Sequence, residues 1–458
     1  MFRYVMKKIF VMKKIFISAG LAAVSAAGFE TVFAAAPDAL SPKDWNVSGT
    51  LRGFYDDNYA AAGGNQKGSA GFEVSPTISL NVPLQQTEIG LRYTYGLYYY
   101  QQREDLGVDA FDQSHQLELW LDHAFNERWR ANVTDSFAIG QEPELLQPNQ
   151  GVGQAVPYRI QGDNMANHAN FTLNTEWTRL LSTALHYGNN FYDYNNTGAS
   201  VIGPLGFQSL SGSGASYAGL LNRIEQNVSL DFQWTIEPET MAFIGYNFSL
   251  VNFTGDEPIA VFNYLDASFT PQSLVYKSDS RDSMSHTAYV GVNHQFTANV
   301  SGMMKGGVTY TDDYNDPLQS TTSVSPYADM SVSYTYMPGS YLQVGLTHEI
   351  NATDVVQLGS DGSLTQNQES TVIYADVNHR FTPKLLGTVI GRFSSSTFDG
   401  GAHNNSSDEA YSLGINLNYQ INRHFSTDLG YNYDDLVSGI AGRSYDRNRV
   451  YIGLTANY

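Results

Sequence analysis

Charged side chains recur in this sequence at alternate positions within apolar stretches, between Trp45 and the final Tyr458. Side chains on a strand point alternately to opposite faces, so each charged row would share one face of a sheet. In a sheet closed around water, such residues would contact passing ions and set their preference. Paired across neighbouring strands, they would only stiffen the wall, and the sequence favours neither role. The predicted lining residues are Arg52, Glu73, Glu88, Arg92, Glu118, Asp122, Lys305, Asp376, Arg392 and Arg449.

One long connection, Asp193–Gly219, is unusually apolar and rich in glycine. A loop exposed to water has little reason for this composition, so we expect it to fold into the lumen or over its mouth. Phe207 and Leu210 are the candidate constriction residues. A lid that packs on other loops or on a neighbouring subunit is the alternative.

Catalytic chemistry has weak support. The sequence has no G-x-S-x-G elbow and no phosphate-binding loop of the Walker type. Histidines fall in or near predicted outer loops, where a barrel hydrolase or protease would keep its base, but sequence order need not reveal a catalytic triad. They are His115, His168, His286 and His403. We expect no enzymatic activity, and an outer-membrane enzyme is the alternative.

Metal binding and cofactors are not predicted. Three strands end in the repeated pattern His-x-Phe, at His123, His294 and His379. On different strands of a wide barrel these histidines would lie far apart, whereas metal ligands must converge, so we expect interfacial anchoring. The acidic run Asp312–Asp316 lacks the spacing and the glycine of an EF-hand loop.

The hairpin at Ala410–Tyr433 shows how these residues would be positioned. Its apolar row is bracketed by tyrosines, and its other row is polar. A sheet that faces lipid needs an apolar band flanked by aromatic residues, because tyrosine keeps its ring in the interface and its hydroxyl in water. The pattern therefore indicates a strand pair with one lipid-facing side and one wet side.

About eighteen such segments follow one another, within the range and even parity of bacterial outer-membrane barrels. The connections alternate between short turns, such as Thr382–Lys384, and long polar loops, such as Phe253–Ser280. Short periplasmic turns and long outer loops are typical of these barrels. The sequence thus predicts an all-β fold, a closed antiparallel transmembrane β-barrel in which Arg52 on the first strand and Arg449 on the last are neighbours.

The composition and the N-terminus agree with this prediction. The chain is 42% hydrophobic but only 15% charged, it lacks cysteine, and its net charge of −20 argues against nucleic acid as a partner. Lysines precede an apolar, alanine-rich stretch that ends at small residues, which is typical of a secretory signal cleaved near Ala34. The predicted organisation is a signal peptide at 1–34, a short periplasmic leader at 35–44 and an outer-membrane barrel at 45–458.

Short motifs support a family resemblance. Tyr55-Asp56-Asp57-Asn58, a Gly/Asn loop and the strand Val74–Leu80 resemble the opening of the putative beta-barrel porin 2 family, and the Ser325-Pro326 strand start and the His-x-Phe strand ends are similar in style. The resemblance would cover most of the mature chain. It implies a Gram-negative outer-membrane barrel that forms a pore, often linked with exopolysaccharide export, and no catalytic residues.

These observations predict a channel for passive or facilitated passage of small hydrophilic solutes, with a plugged structural or adhesive barrel as a further alternative. The expected partners are outer-membrane lipid and lipopolysaccharide, the solutes themselves, and the barrel-assembly machinery, which would read the terminal aromatic Tyr458. A homotrimer stays open.

Overall fold

A closed antiparallel barrel of eighteen strands forms the molecule. The computed structural model describes residues 44–105, 109–140, 164–195, 216–318 and 320–458. The predicted signal peptide, nearly all of the leader, and the candidates Phe207 and Leu210 lie outside these residues. The wall strands are β1 (Trp45–Asp56), β2 (Ser69–Pro83), β3 (Thr87–Tyr100), β4 (Phe111–Ala124), β5 (Trp129–Gly140), β6 (Asn164–Glu176), β7 (Leu181–Tyr194), β8 (Arg223–Glu237), β9 (Thr240–Phe253), β12 (Ser283–Thr297), β13 (Val300–Asp313), β14 (Thr321–Met337), β15 (Ser340–Ala352), β16 (Asn367–Thr382), β17 (Leu385–Asp399), β18 (Ser407–Gln420), β19 (Phe425–Ser438) and β20 (Tyr445–Asn457).

Each wall strand pairs with its neighbours in sequence order, and β20 returns to pair with β1. This closure confirms the predicted barrel and removes the open edges on which another chain could pair. The first and last strands are neighbours as predicted. Their register places Arg449 opposite Asp56 and Arg52 opposite Gly453, so the two arginines do not lie side by side.

The alternation of side chains separates two faces along every wall strand. On β1, Leu51 and Tyr55 are 57% and 51% exposed, whereas Arg52 and Phe54 between them are half-buried or buried. The exposed apolar rows form an outer surface that water would not stabilise, and their polar counterparts face the lumen. A barrel of sixteen to eighteen strands is wide enough for an aqueous channel.

Aromatic residues mark the short-turn end of the barrel. The Trp45 and Tyr458 rings, at the two ends of the wall, lie 5.9 Å apart, as do those of Trp129 and Trp177. In the His-x-Phe repeats, each histidine packs edge-to-face on the phenylalanine that follows, at 4.5, 4.7 and 4.4 Å between centroids. Each also bonds through Nδ1 to a hydroxyl. His123 bonds to Thr87 and His294 to Thr240, both on the preceding wall strand, and His379 bonds to Tyr336 on β14, two strands back.

The connections at the other end carry structure that the sequence did not predict. Within the predicted polar loop Phe253–Ser280, β10 (Pro258–Leu265) and β11 (Pro271–Lys277) form a separate hairpin, followed by a 3-10 turn at Ser278–Arg281. A short helix, Tyr217–Leu221, precedes β8. None of the helices in the described part of the chain has the length and apolar character needed to span a membrane.

Candidate functional site

The lumen wall and the loops that cover it form the candidate site. All of the predicted lining residues lie on the parity opposite the exposed apolar rows, so their side chains face inward. They do not converge on one point but divide among separate clusters around the wall.

One cluster lies where the barrel closes. Arg52 Nε donates to Asp428 Oδ2 at 2.9 Å, and Arg52 Nη1 approaches Glu73 Oε2 at 3.4 Å. Ser75 donates to the same Glu73 carboxylate. Asp428 belongs to β19, and the arginine reaches it across Gly453 of the intervening β20. A β-carbon at Gly453 would lie 2.5 Å from Asp428 Oδ1 and 2.6 Å from Arg52 Cγ, so this glycine makes the contact sterically possible.

A second cluster, elsewhere on the inner wall, has the same arrangement, in which two side chains meet across a glycine of the strand between them. Tyr289 donates to Asp231 Oδ1 at 2.5 Å across Gly245, where a β-carbon would meet the carboxylate oxygen at 2.2 Å. His186 Nε2 lies 3.8 Å from the other oxygen of Asp231. Lys305 Nζ lies 3.5 Å from Asp329 Oδ2 and is buried. Lys305 therefore contributes to ion pairing within the wall more than to interactions with passing ions.

The remaining predicted residues have varied partners. Arg92 pairs with Glu118 at 3.2 Å. Arg449 donates to Asp56 and to the Tyr100 hydroxyl, both at 3.0 Å. Glu88, Asp122 and Asp376 accept from neutral groups, Asn81 at 3.1 Å, Asn132 at 2.9 Å and Tyr341 at 2.9 Å.

Arg392 differs from the other predicted cations. Its Nε and Nη2 atoms are buried and have no hydrogen-bond partner among the described residues, and its charge interacts with Glu349 on β15. Wall pairing therefore accounts for Arg52, Arg92, Lys305 and Arg449. Glu88, Asp122, Asp376 and Arg392 have no close ion pair with any residue that the structure describes.

A polar recess of about 190 Å³ opens on the inner wall between β1 and β4. Arg52 and Glu73 form part of its lining, together with hydroxyl and amide groups such as Thr94, Ser114 and Gln116. The recess offers hydrogen-bond donors and acceptors to water or to a hydrophilic solute.

Above this wall, an apolar cluster joins loops from opposite sides of the barrel. Leu220 and Leu221 of the short helix after β7 pack with Ile259 of β10 and with Val356 and Leu364 of the segment 353–366. The same cluster reaches Leu436 on β19 and Tyr445 on β20, across the ring from β7. We name these loops (57–68, 216–222, 254–282, 353–366 and 439–444) the lid. Burying a leucine side chain contributes roughly 2 kcal/mol, so the lid has a stable core of its own.

Buried ion pairs join segments of the lid to each other and to the wall. Arg443 donates from Nη1 and Nη2 to both oxygens of Asp354, at 2.8 and 2.9 Å, and from Nε to Asp408 at 2.7 Å. Its side chain is 3% exposed. Burial opposes its charge, but the two carboxylates outweigh burial and raise the pKa of Arg443 above its usual value. The bidentate geometry fixes the orientation of segment 353–366 as well as its position.

Arg281 makes a further connection within the lid. It is 1% exposed, donates from Nη1 to Leu220 O at 2.9 Å and from Nη2 to Thr353 O, and lies 4.3 Å from the Phe253 ring centroid. Burial lowers the pKa of Arg281 to about 9, so the group stays cationic at neutral pH. Nearby, burial raises the pKa of Tyr276 to about 12, and its hydroxyl donates to Gly362 O at 2.6 Å.

The histidines considered as catalytic bases are dispersed. His115 and His286 face outward and bond to the hydroxyls of Tyr93 and Tyr246, at 2.8 and 2.6 Å. His168 faces inward against Asn190 at 3.0 Å, and His403 lies in a 3-10 turn of the loop after β17. Among the described residues, no group of histidines and carboxylates has the geometry to hold a metal ion.

Sequence reasoning missed Asp428, Asp231 and Asp354 as partners, because each contact depends on register or on loop packing. Glycines at inward positions, Gly453 and Gly245, were the available signal, since a glycine within a strand often marks a close approach of neighbouring groups.

The chain resembles several solved structures at low sequence identity. No curated protein matches the chain in sequence. Solved structures that resemble it include Acinetobacter baumannii OccAB4, with 12% identity over 91% of this chain and 99% of that one and a TM-score of 0.41. The outer membrane protein opdK from Pseudomonas aeruginosa shows 11% identity over 91% and 99% of the two chains, with a TM-score of 0.43. The siderophore receptor PirA from Pseudomonas aeruginosa shows 11% identity over 91% and 81%, with a TM-score of 0.38. At these identities the similarity concerns the fold alone.

A family model gives the more specific match. Residues 269–458 match the model of putative beta-barrel porin 2, which confirms the resemblance predicted from the sequence. The strand start at Ser325-Pro326 lies inside the matched span, whereas Tyr55–Asn58 and Val74–Leu80 lie outside it. The chain is thus a closed β-barrel whose C-terminal portion, residues 269–458, matches the family model of putative beta-barrel porin 2.

Proposed function

We propose that this protein is a channel in the outer membrane of a Gram-negative bacterium, through which small hydrophilic solutes pass, with cations preferred over anions. The observation that carries the proposal is a closed wall, apolar outside, whose inward face is polar and acidic. Ions in such a lumen respond to the charged side chains that line it.

On the described wall strands, inward-facing acidic residues outnumber inward-facing basic ones. The predicted residues balance acids against bases, but the other charged residues on the inward parity do not. The additional bases are Arg130, Arg223, Arg380 and Arg447, and the additional acids are Asp56, Asp112, Glu176, Glu225, Asp231, Asp313, Asp329, Glu349, Asp408, Asp428 and Asp434. Excess carboxylates lower the potential in the lumen, which attracts cations and repels anions.

In this proposal, Glu88 and Asp122 act on ions at the short-turn mouth. They are register partners on β3 and β4, and each accepts from an asparagine instead of a cation. Like charges directly opposite each other destabilise a strand pair, so the presence of both carboxylates favours a role in attracting cations over a role in stabilising the wall.

A plugged structural barrel is the second candidate, and the apolar lid is the observation that favours it. Conductance separates the two. Purified, folded protein in a planar bilayer should show discrete channels, and a salt gradient should give a reversal potential of the sign set by cation flow. If neither the native protein nor a variant with a loosened lid conducted ions, the channel would be rejected and the plugged barrel favoured. A part in exopolysaccharide export, which the family resemblance implies, stays a prediction.

A further inference from the structure

On the described wall strands β5 to β8, polar side chains interrupt the outward apolar band. Asp135 on β5 faces outward, in register with Leu119 of β4. On its own strand, Val133 precedes it and Phe137 follows it on the same face. The band begins below at Trp129, which packs on Trp177. A carboxylate at this depth faces hydrocarbon, where an acidic side chain is unfavourable.

Asp135 belongs to a continuous row of polar side chains. The register runs from Asp135 through Ala169 to Asn189 of β7 and then to Gln226 of β8. Asn167 of β6, the next outward residue from Ala169 towards the long loops, donates from Nδ2 to Asp135 Oδ1 at 2.5 Å. We name Asp135, Asn167, Asn189 and Gln226 the polar stripe.

Among the described residues, the stripe is incompletely paired. The side-chain amides of Asn189 and Gln226 make no hydrogen bond to any described residue, and Gln226 is exposed. Acyl chains offer neither donors nor acceptors, so each amide facing lipid loses the bonds it would make in water. Other outward carboxylates, such as Asp312, Glu409 and Asp435, lie at strand ends next to the long loops, where water reaches them.

We infer that the polar stripe is the contact face of a two-fold symmetric dimer of this chain within the membrane. A carboxylate requires donors, and the stripe itself supplies them, since each amide both donates and accepts. A two-fold contact places the same patch on both sides, so the amides of one copy meet the carboxylate of the other. Small residues permit close approach in such contacts, and Ala169 lies in the register row between Asp135 and Asn189.

A head-to-tail contact is less well supported by the surface. It would need a second outward face rich in donors. No lysine or arginine lies on the outward parity of the described wall strands, so a cationic counterpart to Asp135 is lacking there. The self-complementary stripe needs no such counterpart.

Cysteine cross-linking tests the inference, because the chain contains no cysteine and every introduced thiol is unique. The full chain with Asn189→Cys, folded into lipid vesicles, should form a covalent dimer with a short bis-maleimide. The matched control is Ile415→Cys, outward and 37% exposed on β18 at the other side of the barrel, which should stay monomeric. Adding Asp135→Leu and Gln226→Leu to Asn189→Cys should reduce the dimer to the control level, while heat modifiability on gels shows that the barrel still folds.

Light scattering of the native chain in mild detergent and in nanodiscs gives an independent measurement, and we expect the mass of two copies. Equal cross-linking of the two cysteine variants would overturn the inference, as would a monomeric mass in both media. Capture of a different protein by Asn189→Cys in native membranes, without a dimer, would also overturn it and assign the stripe to a different partner.

Discussion

Arg52 on β1 donates to Asp428 on β19 at 2.9 Å, although β20 lies between their strands. The contact exists because Gly453 leaves the inner face of β20 bare at this point. An ion pair thus spans three strands where the first and last parts of the chain meet, and it couples closure of the barrel to the presence of one glycine.

Replacing that glycine should weaken the closure. In Gly453→Ala the new methyl group would collide with Asp428 Oδ1 and Arg52 Cγ, and forcing extra atoms into a packed site costs about 1 to 3 kcal/mol. We expect a lower midpoint of urea unfolding in detergent or lipid. The control is Gly49→Ala on β1, which also adjoins β20 but has nothing within 4 Å of the added atom. Equal midpoints for the two variants would contradict the steric argument.

Removing the buried cation of the lid should loosen it. Arg443→Met leaves Asp354 and Asp408 buried without their partner, and breaking such a pair costs about 3 to 5 kcal/mol. The wall strands keep their own ladders, so the barrel should still fold. We expect faster proteolysis within segment 353–366 and a higher open probability in bilayer recordings.

A surface ion pair provides the matched control for the lid variant. Lys277 and Asp256 also form an ion pair within the lid, but their side chains are 51% and 81% exposed. Exposed pairs contribute little, so Lys277→Met should leave proteolysis and recordings unchanged. A similar response of both variants would show that the lid does not depend on the buried pair.

Acidification should also act on the loop after β17, which carries His403 and meets the lid where Thr365 Oγ1 donates to Gly400 O at 3.0 Å. Burial, followed by the nearby Arg443 charge, lowers the pKa of His403 below its usual value of 6.5. As the pH falls below about 6.5, His403 binds a proton in the unfolded loop before it does so in the folded loop. Stability of this loop is therefore greatest above that pH and is lost as pH falls through the lowered pKa.

We expect the open probability to rise between pH 7.5 and 5.5 in the native protein, and less so in His403→Gln. His424→Gln, in a short turn at the opposite end of the barrel, is the control and should respond as the native protein does. If His403→Gln kept the full response, another group would have to carry the pH dependence.

Neutralising the carboxylates at the short-turn mouth should reduce the preference for cations. Glu88→Gln with Asp122→Asn removes two like charges that face each other on β3 and β4, so the barrel should be as stable as before or slightly more so. The reversal potential in a salt gradient should shift towards zero. Glu409→Gln, whose side chain is outward on β18, is the control, and an equal shift there would place the selectivity outside the lumen.

Some of the fold follows from local pattern alone. Side-chain direction on a strand depends only on position along it, so the alternation of polar and apolar residues is enough to tell the two faces apart. It predicts that Arg52, Glu73 and Arg92 face inward. It predicts that Leu51, Val74 and Leu91 face outward. The alternation of short and long connections likewise gave the antiparallel order. The hairpin β10–β11 was missed since its alternation is brief and lies inside a segment that is polar on average.

Only the tertiary structure decided which charges meet and what covers the lumen. Register around a closed ring brought Arg52 to Asp428, and loop packing brought Arg443 to Asp354, Arg281 to Leu220 and Leu220 to Val356. Such contacts join residues that are far apart in sequence. They depend on strand tilt, barrel closure and loop geometry, and the alternation of apolar and polar residues along the chain carries no information about these. The alternating sequence therefore determined a wall with an inside and an outside, while the pairing across that wall and the lid above it came from closure in three dimensions.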